Sequence, residues 1–104
     1  MILHDFPLDE ECWKVRLGLG LMGIAHERRA VDVIPGRALE TAAYRILAPL
    51  GRLPVWEEAG LVLRDPQAIL LRLAEAHDPA RRFLPADPAA RAAMQDWLFD
   101  AARD

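Results

Sequence analysis

The sequence has one cysteine in 104 residues and no apolar run long enough to cross a lipid bilayer. A single cysteine excludes an internal disulfide and a metal site of four thiolates, and it is typical of a reducing compartment. The longest apolar run, Leu17 to Ala25, is far below the roughly 20 residues that a membrane-spanning helix needs. The N-terminus also lacks the basic segment that precedes the apolar part of a secretory signal. We therefore expect a cytoplasmic protein with no membrane partner.

An excess of positive charge is absent as well. The sequence holds 13 lysine and arginine residues against 16 aspartate and glutamate residues, so its net charge is −3 and its isoelectric point is about 5.6. Phosphate binding needs clustered cations with a positive field, and we therefore expect no nucleic-acid partner. His4, His26 and His77 lack the spacing of metal ligands, so we predict no metal site and place these side chains at the surface or at strand ends.

What the sequence does contain is enough apolar material for one core. Apolar residues make up 53% of the chain, and a chain of this length buries roughly 60–70% of the surface that it exposes when unfolded. Its first third predicts a strand at residues 1–4, a helix from residue 10 and a second strand at residues 24–33. A strand, helix, strand order of this length implies parallel strands and a right-handed crossover.

The first predicted helix has a single apolar stripe and a clear end. Gly23 is a plausible stop, because glycine readily adopts the left-handed conformation that ends many helices. Gly18 and Gly20 weaken a helix by up to about 1 kcal/mol each relative to alanine, so we interpret both as close-packing positions. The stripe, which we expect to face the sheet, consists of Cys12, Val15, Leu19 and Met22.

The middle of the chain predicts a hairpin followed by a helix. Residues 55–57 and 61–63 are rich in β-branched, aromatic and apolar side chains, and Gly60 supplies a positive φ angle between them. Asp65 is suited to cap the next helix, and Pro66 to its first position, where no N–H is lost.

Three helices complete the prediction from the residues. Residues 38–47 have weak helical periodicity, and residues 88–101 place large apolar side chains on one side of a last helix. Pro79 and Pro85, with Pro88 directly after, indicate a linker over residues 78–87. The strongest of the three helices, residues 67–77, has a predicted core face of Ile69, Leu70, Leu73 and Ala76.

At this point the residues resemble a known family. Leu53-Pro54-Val55 before a hairpin, then Gly60-Leu61-Val62-Leu63 and an acidic residue at a helix start, resemble the N-terminal, thioredoxin-like domain of glutathione transferases. Residues 5–17 are similar to the first strand, active-site loop and first helix of that domain, and residues 84–88 to the linker that follows it.

The resemblance implies an α/β, thioredoxin-like fold in the order βαβ, α, ββα. It implies a four-stranded mixed sheet with three helices plus one terminal helix. The thioredoxin-like domain would comprise residues 1–77, and a linker residues 78–87. Residues 88–104 would be the first helix of a helical second domain that is otherwise missing, so we expect a truncated family member.

The resemblance also implies a site for glutathione. A cis peptide bond between Leu53 and Pro54 would present the Leu53 backbone to the cysteinyl part of this small-molecule thiol. In the family, an acidic residue and a serine at a helix start bind the γ-glutamyl carboxylate. Here Asp65 is followed by Pro66, which lacks both hydroxyl and N–H, so the Gln67 N–H and side chain would remain for the anion. Candidate cations for the glycine carboxylate are Arg37 and Arg52, for each of which a solvated role is the alternative.

The group that activates the glutathione thiol is the weakest part of the resemblance. The family uses a tyrosine, serine or cysteine where this sequence has Asp5 and Asp9, and an ionised carboxylate cannot donate a hydrogen bond to a thiolate. It would instead repel a thiolate about 4 Å away by roughly 1–4 kcal/mol. Asp9 and Cys12 are the candidate catalytic residues, and their alternatives are a helix cap and a buried packing role.

Two functional hypotheses follow. The protein binds glutathione or a related thiol with weak or absent conjugation activity, or it is a non-catalytic interaction module that retains the fold. The last helix carries Met94, Trp97, Leu98 and Phe99, and part of this cluster should stay uncovered without a second domain. We therefore predict a homodimer formed through the terminal helix around Trp97.

Overall fold

The computed structural model describes residues 1–33 and 36–102. Its four-stranded mixed sheet has the order β2-β1-β3-β4, in which β1 and β2 are parallel and the other two pairs are antiparallel. This confirms the predicted α/β architecture. The elements in chain order are β1 Ile2–Asp5, α1 Glu10–Met22, β2 Glu27–Ala30, α2 Ala42–Leu47, β3 Val55–Glu58, β4 Leu61–Leu63, α3 Pro66–Ala76 and α4 Pro88–Asp100.

Strand β2 is much shorter than the predicted 24–33. It pairs only with β1, in a register that runs from Ile2 opposite Glu27 to Asp5 opposite Ala30. All four residues of β2 are exposed. The prediction was too long because β2 ends where its partner β1 ends. The pattern of apolar residues in residues 24–33 gives no information on the length of β1.

Helix α1 follows its sequence signals closely. The Asp9 carboxylate accepts the Cys12 N–H at 3.0 Å, and Gly23 ends the helix in the left-handed conformation with φ at 67°. A Cβ atom on Gly18 would lie 2.6 Å from Leu70 of α3, so this glycine is the close-packing position that the sequence predicted. Gly20 is not one, because a Cβ atom there would meet nothing within 4 Å.

The predicted helix over residues 38–47 is divided into two parts. Residues 38–40 form a turn of 3-10 helix, and α2 begins after Thr41. The Thr41 hydroxyl donates to the Ala38 carbonyl at 2.8 Å and accepts the Tyr44 N–H at 3.2 Å. A side chain that ends one helical segment and caps the next explains the division.

The core consists of two clusters that share β3. Because neighbouring side chains of a strand point to opposite faces, Trp56 joins one cluster and Val55 the other. The core face of α3 differs in part from the prediction, since Ala76 is exposed while Gln67 and Ala74 are buried. The cluster of Trp56 comprises Leu3, Val15, Leu19, Ile69 and Leu73, and the cluster of Val55 comprises Cys12, Val31, Tyr44, Ala48 and Leu53.

The chain after α3 has few buried residues. Residues 78–87 contain no strand or helix, but Asp78 and Leu84 are buried, and the Asp78 carboxylate accepts the Phe83 N–H at 3.0 Å. Helix α4 has no fully buried residue, and the Trp97 side chain is 76% exposed. Within residues 1–33 and 36–102, none of the helices combines the length and apolarity needed to span a bilayer.

Candidate glutathione site

A cleft of about 200 Å³ lies between the segment before β3 and the start of α3. It brings together four of the residues predicted for the site, namely Arg52, Leu53, Asp65 and Gln67. The other lining residues are Glu11, Arg64, Pro66 and Ala102.

The backbone of the segment before β3, which forms one wall of this cleft, is held in place by the rest of the fold. The Tyr44 hydroxyl of α2 donates a hydrogen bond to the Arg52 carbonyl. Gly51 adopts a positive φ of 63°, which a residue with a side chain would adopt less readily. The peptide bond between Leu53 and Pro54 is cis, as predicted. Pro54 is buried, while the Arg52 side chain stays exposed at the cleft.

The start of α3, which forms the other wall, has few donors left for a ligand. The Asp65 Oδ1 atom accepts the Gln67 N–H at 2.9 Å and the Ala68 N–H at 3.0 Å. Pro66 has no N–H. The Gln67 N–H, which the sequence left for an anion, therefore already has an acceptor, and the helix start offers the anion little besides the Gln67 side chain.

Arg37, the remaining predicted cation, is not among the residues that line the cleft. It has a left-handed backbone conformation with φ at 55°, and its Nε atom lies 2.6 Å from Glu40 Oε2. Both side chains of this ion pair are largely exposed. The structure thus favours the solvated alternative for Arg37.

Cys12 lies at the start of α1, and its side chain is completely buried. Burial is the largest cause that raises the pKa of its thiol to about 12, and the Asp9 and Asp5 carboxylates raise it further. Only the Phe6 N–H, which donates to Cys12 Sγ at 3.5 Å, acts in the other direction. A thiol in these surroundings stays protonated near neutral pH. These contacts favour the packing role of Cys12 and the capping role of Asp9.

Hydroxyl groups that could stabilise a thiolate are scarce throughout the chain. The sequence has no serine, and Thr41 and Tyr44 are its only threonine and tyrosine. Both hydroxyls already donate to backbone carbonyls, those of Ala38 and Arg52. The observed contacts of both hydroxyls therefore leave no hydroxyl proton for a ligand.

Asp5 has partners that the sequence did not reveal. Its fully buried carboxylate lies 2.7 Å from Arg16 Nη1 of α1 and 2.9 Å from Arg28 Nε of β2. The carboxylate thus connects β1, α1 and β2 at the position where the resemblance implies a tyrosine. The parallel pairing of β1 with β2 places Arg28 beside it.

A second buried carboxylate, Glu58, lies at the end of β3. Its Oε1 atom accepts the Trp56 Nε1–H at 3.0 Å and lies 3.2 Å from Arg72 Nε, while its Oε2 atom lies 2.9 Å from His77 Nε2. Burial raises the pKa of Glu58, but hydrogen bonds from Arg72, Trp56 and His77 outweigh it and lower the pKa to about 2. His77, which the sequence placed at the surface or at a strand end, is half-buried in contact with Glu58 at the end of β3.

The other two histidines differ from each other. His4 Nε2 lies within hydrogen-bond distance of the Glu57 carboxylate, whereas His26 is exposed. Within the described part of the chain, histidine, cysteine and carboxylate side chains form no group of three or more that could hold a metal ion.

Comparisons with known proteins identify the relatives of this chain. Residues 11–76 match the family model for the N-terminal domain of glutathione S-transferases. Glutathione S-transferase 1 of Dianthus caryophyllus is 38% identical over 92 residues, which cover 88% of this chain and 41% of the relative. The maleylacetoacetate isomerase of Mus musculus is 30% identical over 95 residues, which cover 90% of this chain and 44% of the relative.

A solved structure matches at the level of the fold. The glutathione transferase homologue of Drosophila mojavensis, whose structure holds bound glutathione, superposes with a TM-score of 0.92 at 18% identity. The match covers 98% of this chain and 46% of that chain, so the chain spans less than half the length of these relatives. With a family model that covers most of the chain and curated relatives at 30–38% identity, the protein belongs to the glutathione S-transferase family, and its matched part is the thioredoxin-like N-terminal domain.

Proposed function

We propose that the protein binds glutathione, or a related thiol, in the cleft between the segment before β3 and the start of α3. The observation that carries this proposal is the meeting of Arg52, Leu53, Asp65 and Gln67 around one hollow. Leu53 offers backbone groups, and a backbone contact depends little on the side chain. Arg52 offers an exposed guanidinium for a carboxylate.

We further propose that conjugation is weak or absent. Catalysis of this kind needs a donor aimed at the sulfur where negative charge develops. At the start of α1 the groups near Cys12 are carboxylates, and the Cys12 thiol itself is buried and protonated. Neither Asp9 nor Cys12 is then suited to hold a glutathione thiolate.

Titration calorimetry with glutathione tests the binding proposal. We expect saturable binding by the wild type, and about ten- to a hundredfold weaker binding by Arg52→Gln, because a charge-assisted hydrogen bond contributes roughly 1.5–3 kcal/mol. Arg37→Gln is the matched control, since this arginine is exposed but lies outside the cleft lining. Absence of binding by the wild type, or equal losses in both variants, would contradict the proposed site.

A conjugation assay with a standard electrophile tests the second part. We expect little glutathione-dependent turnover above the rate without protein. Robust turnover that Cys12→Ala removes would show that this thiol has a catalytic role after all. Turnover that Asp9→Asn removes would point to the carboxylate in the same way.

A second candidate function is an interaction module, and the exposed apolar side of α4 favours it. Trp97 is 76% exposed and Phe99 52% exposed, while Met94 and Leu98 are half-buried and line a hollow together with residues of α1 and α3. Exposed apolar patches of several hundred square ångströms usually mark an interface. We propose that two copies pair through α4 in a symmetric homodimer centred on Trp97.

Light scattering at micromolar concentration tests this pairing. The dimer mass should fall to that of a monomer in Trp97→Ala. Ile46→Ala is a suitable control, because Ile46 on α2 is 83% exposed but far from α4 in the chain. A monomeric wild type would remove the homodimer and leave glutathione binding untouched. Both candidate functions fit a cytoplasmic location, which stays a prediction.

A further inference from the structure

Arg64 lies at the cleft without having been predicted for the site. It precedes the α3 cap Asp65 and lines both the cleft and a neighbouring hollow of about 250 Å³. Its Nε atom donates to the Leu47 carbonyl at 2.7 Å. This bond holds the base of an exposed guanidinium beside the cleft, while the two Nη groups extend beyond the anchored atom.

Among the charged side chains that line the cleft, the carboxylates have partners and the guanidinium groups have no carboxylate partner in the described part of the chain. Glu11 forms a pair with Lys14 at 3.1 Å, and the Asp65 carboxylate accepts two backbone N–H groups. By contrast, no carboxylate of residues 1–33 or 36–102 lies within 4.0 Å of Arg52 or Arg64. The cleft therefore presents two guanidinium groups whose charges are not paired within this part of the chain, next to two carboxylates that already have partners.

The start of α3 cannot supply the missing contacts itself. The N–H groups of Gln67 and Ala68 donate to Asp65, and Pro66 has neither N–H nor hydroxyl. For a carboxylate that enters the cleft on this side, the available charged donors therefore belong to the Arg64 guanidinium and not to the backbone at the start of α3. A guanidinium fork matches a carboxylate with two parallel hydrogen bonds.

We propose that Arg64 binds the γ-glutamyl carboxylate of the thiol ligand and takes the place of the serine that Pro66 replaces. Arg52 is then left for the second, glycine carboxylate. This inference rests on the proposed glutathione binding. The ligand class of the site is then a thiol peptide with a carboxylate at each end.

Calorimetry with two ligands separates the inference from its premise. The probes are glutathione and 4-aminobutyryl-cysteinyl-glycine, which lacks the γ-glutamyl carboxylate. We expect Arg64→Gln to bind glutathione about tenfold more weakly than the wild type and to bind the analogue as the wild type does. Arg64→Lys should lie between the two, because lysine keeps the charge but loses the fork. Arg91→Gln is the matched control, since Arg91 also donates from Nε to a backbone carbonyl and lies outside the cleft.

A second variant tests whether glutathione affinity lost in Arg64→Gln can be restored, which would not happen if Arg64 had a purely structural role. If Arg64 replaces the serine, then Pro66→Ser combined with Arg64→Gln should regain most of the lost glutathione affinity. Equal glutathione binding by Arg64→Gln and the wild type would overturn the inference and leave the proposed function standing. An equal loss for both ligands would overturn it too, because the loss would not depend on the carboxylate. A wild type that binds no glutathione would overturn both proposals.

Discussion

Cys12 and Glu58 are both removed from solvent, yet their pKa values move in opposite directions. Burial taken alone would raise the pKa of each group, because a charged group loses solvation in the interior. Glu58 is surrounded by donors on Trp56, Arg72 and His77, which lower its pKa to about 2. Cys12 has Asp9 and Asp5 as charged neighbours, and its pKa rises to about 12.

The difference shows that the partners, rather than the depth of burial, decide which group is charged. The structure stabilises a carboxylate at one end of β3, where no predicted site residue lies. At the start of α1, where the resemblance to the family implies a thiolate, the chain places carboxylates around a neutral thiol. The exposed cations Arg52 and Arg64, which could pair with carboxylates of a ligand, lie instead at the cleft beside α3.

The sharpest test of this comparison is the chemical reactivity of Cys12. At pH 8, a thiol with a pKa of about 12 has about a thousandth of the thiolate of a thiol with a pKa of 9.0. We expect native protein to react with iodoacetamide at least about a thousandfold more slowly than urea-unfolded protein. Mass spectrometry of timed samples measures both rates. A native rate close to the unfolded one would break the comparison, because Cys12 would then be accessible and ionised.

We expect Glu58 to make the free energy of unfolding decrease at acid pH. Its pKa is lower in the folded state than its ordinary value of 4.5, so the unfolded chain binds more protons between these values. The stabilisation is present above about pH 4.5 and is lost as the pH falls towards 2, by up to about 3 kcal/mol. Urea unfolding between pH 6 and pH 2.5 measures this loss. Glu58→Gln should flatten the pH dependence, whereas Glu75→Gln, on an exposed residue, should leave it unchanged.

Removal of Arg72 tests whether the cationic partner keeps Glu58 charged. Arg72→Met should lower the free energy of unfolding at pH 7 by about 2 kcal/mol, because it leaves a buried carboxylate with fewer donors. We expect less than about 0.5 kcal/mol for Lys14→Met, since the Lys14 and Glu11 side chains are both partly exposed. Similar losses in the two variants would mean that the Glu58 network is no stronger than a surface ion pair.

The smallest expected effect comes from neutralising one neighbour of Cys12. Asp9→Asn should keep the helix cap, since asparagine caps as well as aspartate, but it removes a carboxylate that raises the thiol pKa. We expect the native alkylation rate to increase about fivefold. Glu10→Gln is the control, because Glu10 does not contribute to the raised pKa. An unchanged rate in Asp9→Asn would show that the Asp9 charge does not suppress the thiolate.

The predicted positions of the helices and the hairpin were largely right where the signal lies within a few residues of its effect. Asp65 accepts N–H groups two and three residues ahead, and Gly23 ends α1 through its own φ angle. The motif of Leu53 and Pro54 likewise identified the fold and its cis peptide bond. Such local rules also gave the correct order of strands and helices.

The site was predicted less completely, because its residues meet through the packing of separate elements. Sequence reasoning selected Arg52 and Arg37 together, and only the structure separates the first, in the cleft, from the second, beside Glu40. Arg64 was missed because a single arginine before a helix cap has no distinguishing pattern. The anchor of its Nε atom on Leu47 lies 17 residues away.

The order of residues alone was enough to predict the fold class, the family and the departures from the family's motif. Pro66 where that motif has serine, and carboxylates at residues 5 and 9, can be recognised before the fold is known. Which charges are paired depends on how the chain packs. Glu58 reaches His77 across 19 residues, and Asp5 reaches Arg28 across 23, and both contacts depend on how strands and helices pack together. Electrostatic energy varies with distance and burial, and these quantities exist only once the chain is folded.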